Sequence, residues 1–191
     1  MGDTAGSYDA LVSARGLTAA GAFSPGPVTP LLTRGSTLNP AFSGPLSDGI
    51  EGTVGPFGYG RFEYHAVFAR VPESQPFVPR LSCDRKGRNV TDEHYGFEIR
   101  SSRLWTESIR LNDRFEVKVS PFQDDNWLRQ LFSPTLVDWL ADESPRDFSF
   151  ELAYGSLFCS IEADYPEADE LTALWDGAAT VAKRIHDESH E

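Results

Sequence analysis

The stretch from Leu171 to Ile185 constrains the fold more than any other. Leu171, Leu174, Trp175, Ala178, Val181, Ala182 and Ile185 recur at i, i+3, i+4 and i+7, the spacing of one helical face. Glu167, Asp169 and Glu170 stand near its start and Lys183, Arg184 and His186 near its end, as the helix dipole favours. Burying Leu171, Leu174, Trp175 and Ile185 contributes about 1.5–3 kcal/mol each. Such a helix must lie on an apolar surface. Gly177 inside it costs roughly 1 kcal/mol against Ala, which signals close packing or only a tolerated defect.

The middle of the chain supplies a β surface. Phe62, Tyr64, Ala66 and Phe68 alternate with Arg61, Glu63 and His65, a period of two that marks a half-buried strand. Phe77, Leu81 and Cys83 repeat it, as do Tyr95, Phe97 and Ile99, and Phe115, Val117 and Val119. Arg103–Leu111 also reads as strand, with Trp105, Ile109 and Leu111 on one face. The period then changes. Trp127, Leu128, Leu131 and Phe132 have helical spacing, and Ser133-Pro134 restarts the pattern as N-cap and first turn ahead of Leu136, Val137 and Leu140. This is a broken helix over 124–142. Phe148, Phe150 and Leu152 alternate again; Tyr154-Gly155 turns the chain, and Leu157, Cys159 and Ile161 return as a hairpin.

The first 60 residues differ in kind. They hold 12 of the 16 glycines and 6 of the 13 prolines, enough to prevent long helices. Tyr8–Arg15 reads as a short helix capped by Ser7 and stopped by Gly16. Leu31–Leu32, Ala41–Phe42 and Ile50–Val54 are candidate short strands, and the Gly52–Gly60 cluster reads as a turn or bulge. The expected fold is α+β: a curved, mainly antiparallel sheet of about seven or eight strands, packed by the broken helix and the C-terminal helix. Residues 1–60 form a Gly/Pro-rich wrapping segment over a core of residues 61–191, a single domain overall.

Charge narrows the partners. The net charge of −12 is −2 over residues 1–60, +2 over 61–120 and −12 over 121–191. The last third repels nucleic acid and anionic headgroups and suits a basic protein, a cation or a second copy of the chain, although solubility alone accounts for such a surface. No run of about 18 apolar residues and no secretory signal pattern occurs, so we expect no transmembrane segment and a cytoplasmic location. Cys83 and Cys159 fall on apolar sides of strands and read as free buried thiols.

Sequence features that carry chemistry are few. GxSxG, GxxxxGK[ST] and GxGxxG are absent, so no hydrolase elbow or nucleotide loop is expected, and no cofactor. His65 lies beside Glu63, and His94 follows Asp92-Glu93; either is a candidate polar lining for a small-molecule site. Arg80, Arg85, Lys86 and Arg88, next to Gly87, read as a hairpin loop with a basic tip, either an anion or partner site or a solvated turn. Asp124, Asp125, Asp138, Asp142, Glu143 and Asp147 read as a solvated face rather than a cation site, since no DxDxDG loop supports calcium. His186 and His190 are i, i+4, a spacing that can hold a metal, but Asp187 replaces the Glu of HExxH and terminal turns fray, so no metal is expected.

Arg15-Gly16-Leu17 with Thr29-Pro30-Leu31-Leu32, and Arg114–Val119 with Leu128–Leu140, Ser133-Pro134 and Asp138-Trp139-Leu140, resemble a group of uncharacterised actinobacterial proteins. The resemblance covers about half of the chain and implies no site residues; some members carry membrane helices. The 14 Arg to 3 Lys fit a high-GC bacterial genome. The expected function is a non-enzymatic protein-binding or accessory module with a charge-asymmetric surface. A small-molecule site or enzyme inside the curved sheet, and a component of a larger or phage-derived assembly, are the alternatives.

Overall fold

The computed structural model describes residues 4–24, 37–59, 62–87, 102–104, 106–121 and 123–190. The elements are α1 (Thr4–Arg15), β1 (Thr18–Phe23), β2 (Leu38–Ser47), β3 (Ile50–Tyr59), β4 (Phe62–Arg70), β5 (Arg80–Arg85), β6 (Ser102–Leu104), α2 (Ile109–Arg114), β7 (Phe115–Val119), α3 (Asp125–Leu131), α4 (Pro134–Asp138), β8 (Ser149–Ala153), β9 (Ser156–Glu162) and α5 (Ala168–Glu188). A 3-10 turn, Pro72–Ser74, follows β4, and α4 runs into a π-helical turn, Trp139–Glu143. Among the described residues, nine strands form one open sheet in the order β1-β2-β3-β4-β9-β8-β5-β7-β6, every pair antiparallel. This is the α+β architecture the periodicity implies.

The C-terminal helix lies where its stripe requires. Leu171, Leu174, Ala178, Val181, Ala182 and Ile185 are fully buried, and α5 packs over β2, β4 and β9 with α1 and α3 beside it. A capping box starts it: the Glu167 side chain accepts from the Glu170 N–H, and Glu170 accepts from the Glu167 N–H at 2.9 Å. Gly177 marks close packing. A Cβ there would lie 3.1 Å from Phe148 and 3.4 Å from Trp139. The broken helix is α3 followed by α4. Asp124 caps α3 through 2.9 Å bonds from the Asn126 and Trp127 N–H groups, whereas Ser133 starts α4 without a side-chain bond.

Three expectations need correction. Ile109–Arg114 is helix, not strand, because the Ser108 hydroxyl accepts the Leu111 N–H at 3.2 Å and opens a helical turn; Ile109 is exposed while Leu111 is buried. The glycines and prolines of residues 38–59 do not break strands. They sit in two ten-residue strands, β2 and β3, that belong to the sheet, and the Gly52–Gly60 cluster is largely the body of β3. There Gly44, Gly52 and Gly55 are small for a reason: a Cβ at Gly55 would fall 2.5 Å from the Pro40 carbonyl, one at Gly44 2.8 Å from Leu17, and one at Gly52 3.0 Å from Trp175. Finally, α1 begins at Thr4, so Ser7 lies inside the helix rather than capping it; Gly16, at φ 63°, does end it. Leu31–Leu32 and the Tyr95–Ile99 strand fall outside the described residues.

Cys83 and Cys159 are free and buried. Register places Cys83 opposite Phe150 and Phe150 opposite Cys159, so the thiols are two strands apart, about 10 Å, too far for a disulfide. Burial pushes both thiols well above their ordinary range.

Candidate functional site

His65 lies near the middle of β4, and the sheet turns it toward the helices, among Val67 and Ala69 of the same strand. It is not on a solvated side: its exposure is 1%. The Tyr8 hydroxyl of α1 lies 2.8 Å from Nδ1, and Nε2 lies 3.1 Å from the Ala163 carbonyl just past β9. A carbonyl only accepts, so Nε2 carries the proton and Tyr8 donates to Nδ1. Burial pulls the imidazole down to about 4, against a smaller upward pull from the Ala163 bond, so it is neutral at pH 7. Burial also pushes the Tyr8 phenol up. The relay joins α1, the sheet and the β9–α5 connection in one polar contact.

That connection is the acidic part of the surface. Asp164, Tyr165, Glu167, Asp169 and Glu170 are exposed, Tyr165 by 58%, while Pro166 is buried. The Ala163 N–H donates to the Glu63 carbonyl at 3.2 Å, which brings the exposed Glu63 side of β4 beside the patch. Between Arg146 and Lys183 the chain has eight acidic residues and no Lys or Arg. Elsewhere the acidic third is partly neutralised within the molecule. Arg110 reaches Asp142 at 2.6 Å and Asp138 at 3.5 Å, Arg114 reaches Asp142 at 3.8 Å, and Arg15 reaches Asp176 at 2.5 Å.

The acidic residues of 124–147 do not gather into a cation site. Asp124 caps α3, Asp125 lies 3.2 Å from Gln123, Asp138 and Asp142 face arginines, and Asp147 pairs with Arg146 at 3.4 Å. Of the basic residues, Arg85 and Lys86 lie at the Gly87 turn and Arg80 lies at the far end of the strand. Arg80 and Arg85 end opposite ends of β5, about 17 Å apart along the strand. Arg80 stacks over Tyr154 and Arg85 over Phe115, each 5.0 Å from the ring centroid. Lys86, in the turn with Gly87, donates to the Asn112 carbonyl at 2.5 Å. Arg88 and His94 lie outside the described residues. Trp127 is buried and stacks on Phe77, and Trp139 packs edge-on against Phe148, so neither is a free aromatic platform.

Sequence reasoning missed two things. Tyr8 belongs to the His65 contact, and no local signal links residues 57 positions apart. Glu73 meets His186 at 2.7 Å across 113 positions.

An open antiparallel sheet with a C-terminal helix across one face defines an α+β class shared by many unrelated functions. No family model matches the chain, and no curated protein matches it by sequence. A similar solved structure is the crystal structure of the mycobacterial trehalose monomycolate transport factor A, TtfA, with a TM-score of 0.63 and 10% identity over 97% of this chain and 93% of that one. At that identity the likeness shows the fold alone. No helix among the described residues is long and apolar enough to cross a membrane.

Proposed function

We propose that the protein is a non-enzymatic accessory module of the bacterial cytoplasm that binds a basic protein segment through the acidic surface around Tyr165. The observation that carries this is the exposed Tyr165 set among Asp164, Glu167, Asp169 and Glu170 in a stretch without Lys or Arg. An aromatic ring rimmed by carboxylates suits Arg-rich segments, through cation–π contact and charge-assisted hydrogen bonds. The position of His65 favours a contact role over a ligand-lining one, because both ring nitrogens already have partners. The mycobacterial neighbour is a transport factor, which is in keeping with an assisting role for this fold.

The test is capture of a bacterial lysate and of a synthetic Arg-rich peptide by the wild-type chain and by an Asp164→Asn, Tyr165→Ala variant. We expect peptide affinity to fall about tenfold in the variant, and to fall with salt in the wild type. Binding that is indifferent both to salt and to the substitutions refutes the proposal. Light scattering over the same salt range tests whether a second copy is the partner.

A further inference from the structure

We propose that Glu73, His186 and His190 form a divalent-metal site suited to Zn2+, at the seam between the 3-10 turn after β4 and the C-terminal end of α5. The three side chains offer ligand atoms that all lie within 4.8 Å of one another. Two imidazoles and one carboxylate are a donor set that zinc accepts, and three protein donors leave a coordination position for water or another donor. Nδ1 of His186 and Oε1 of Glu73 share a 2.7 Å contact, and the two imidazole centroids are 4.2 Å apart.

The local backbone preorganises the pair against fraying. Beyond Glu188 the chain makes a bonded turn: the Ser189 N–H donates to the Ile185 carbonyl at 3.1 Å, the Ser189 hydroxyl to the same carbonyl at 2.7 Å, and the His190 N–H to the Asp187 carbonyl at 3.1 Å. His190 Nδ1 lies 2.8 Å from the His186 carbonyl, so that nitrogen carries the proton and Nε2 keeps its lone pair. A backbone carbonyl holding one imidazole nitrogen while the other faces the metal is the outer-shell arrangement that metal-binding histidines use. Ile185 and the 3-10 turn's Ser74 are fully buried, so the platform under the ligands is fixed. Zinc would draw the three ligand atoms closer together, which the half-buried Glu73 and His186 and the exposed His190 permit at a surface seam.

The probe is Zn2+ alone, with Co2+ as a spectroscopic stand-in, titrated into the full chain without a histidine tag. We expect saturable one-to-one binding by calorimetry. The melting temperature should rise by about 5–10 °C at a hundredfold excess over Kd. His190→Gln and Glu73→Gln should each weaken binding at least tenfold. His190 is exposed, so its variant should keep the wild-type circular dichroism spectrum. Absence of saturable binding, or equal binding by the folded His190→Gln variant, overturns the proposal. Loss of peptide capture by the Tyr165 variant with zinc binding intact would leave this site standing, since the two rest on different residues.

Discussion

The two faces of the sheet solve different problems. On the helix side, Val67, Ala69, Leu157, Cys159, Ile161, Phe150, Leu152, Leu81, Cys83, Val117 and Val119 form one continuous apolar layer under α5, α1 and α3. The opposite face is divided. Leu38, Ala41, Phe57, Tyr64, Ala66 and Phe158 make a separate apolar cluster at one end. From Phe158 the register runs through Glu151 and Ser82 to Lys118, turning polar within three strands. Glu151, Ser149 and Ser160 on that side are buried. One face is fixed chiefly by area removed from water, and among the described residues His65 interrupts it with directional bonds; the other pairs an apolar cluster with a polar half.

The largest expected effect breaks the helix side. Trp175→Ala removes a ring that is 2% exposed and lies against β3 near Gly52. We expect a loss of about 3–5 kcal/mol in urea denaturation. A loss under about 1 kcal/mol would mean that α5 contributes little to holding the layers together.

The next effect concerns the polar exception on that face. His65 is held neutral at about 4 when folded, and an unfolded imidazole titrates near 6.5. The unfolded state therefore binds the extra proton first. Above about pH 6.5 the folded state has the full benefit, and stability falls as pH drops from there toward 4. Between pH 7.5 and 5 we expect a loss of about 2 kcal/mol in excess of that shown by His65→Gln. Equal acid sensitivity in both proteins would show that the Tyr8–His65–Ala163 contact does not set the pH profile.

The contrast between the faces also explains what could be read without coordinates. The α5 stripe was plain because one helical face is wet and the other dry. β5 and β7 alternate for the same reason. On β4, β8 and β9 both faces are covered, so His65 looked solvated beside Glu63 although it is buried. Glycine was misleading in β2 and β3, where backbone and side chains approach Gly44, Gly52 and Gly55 closely; composition registers a flexible residue, not a crowded one. The candidate sites were the least legible part. Tyr8 with His65, and Glu73 with the two terminal histidines, meet only because the sheet and α5 bring distant segments together.

The smallest effect sharpens the comparison at Gly177. Alanine there gains roughly 1 kcal/mol of helix propensity. Its methyl would meet Phe148 Cε2 at 3.1 Å, tighter than ordinary contact, and Trp139 Cη2 at 3.4 Å, at the near limit of ordinary contact. Trp139 is half-buried on the π-helical turn and can yield by a few tenths of an ångström; Phe148 is fully buried and yields less. Overpacking should therefore offset the propensity gain, leaving Gly177→Ala between about neutral and 1 kcal/mol less stable. A measured gain of the full propensity value would show that α5 rides farther from the sheet than these contacts require, and that the helix side is looser than its apolar layer implies.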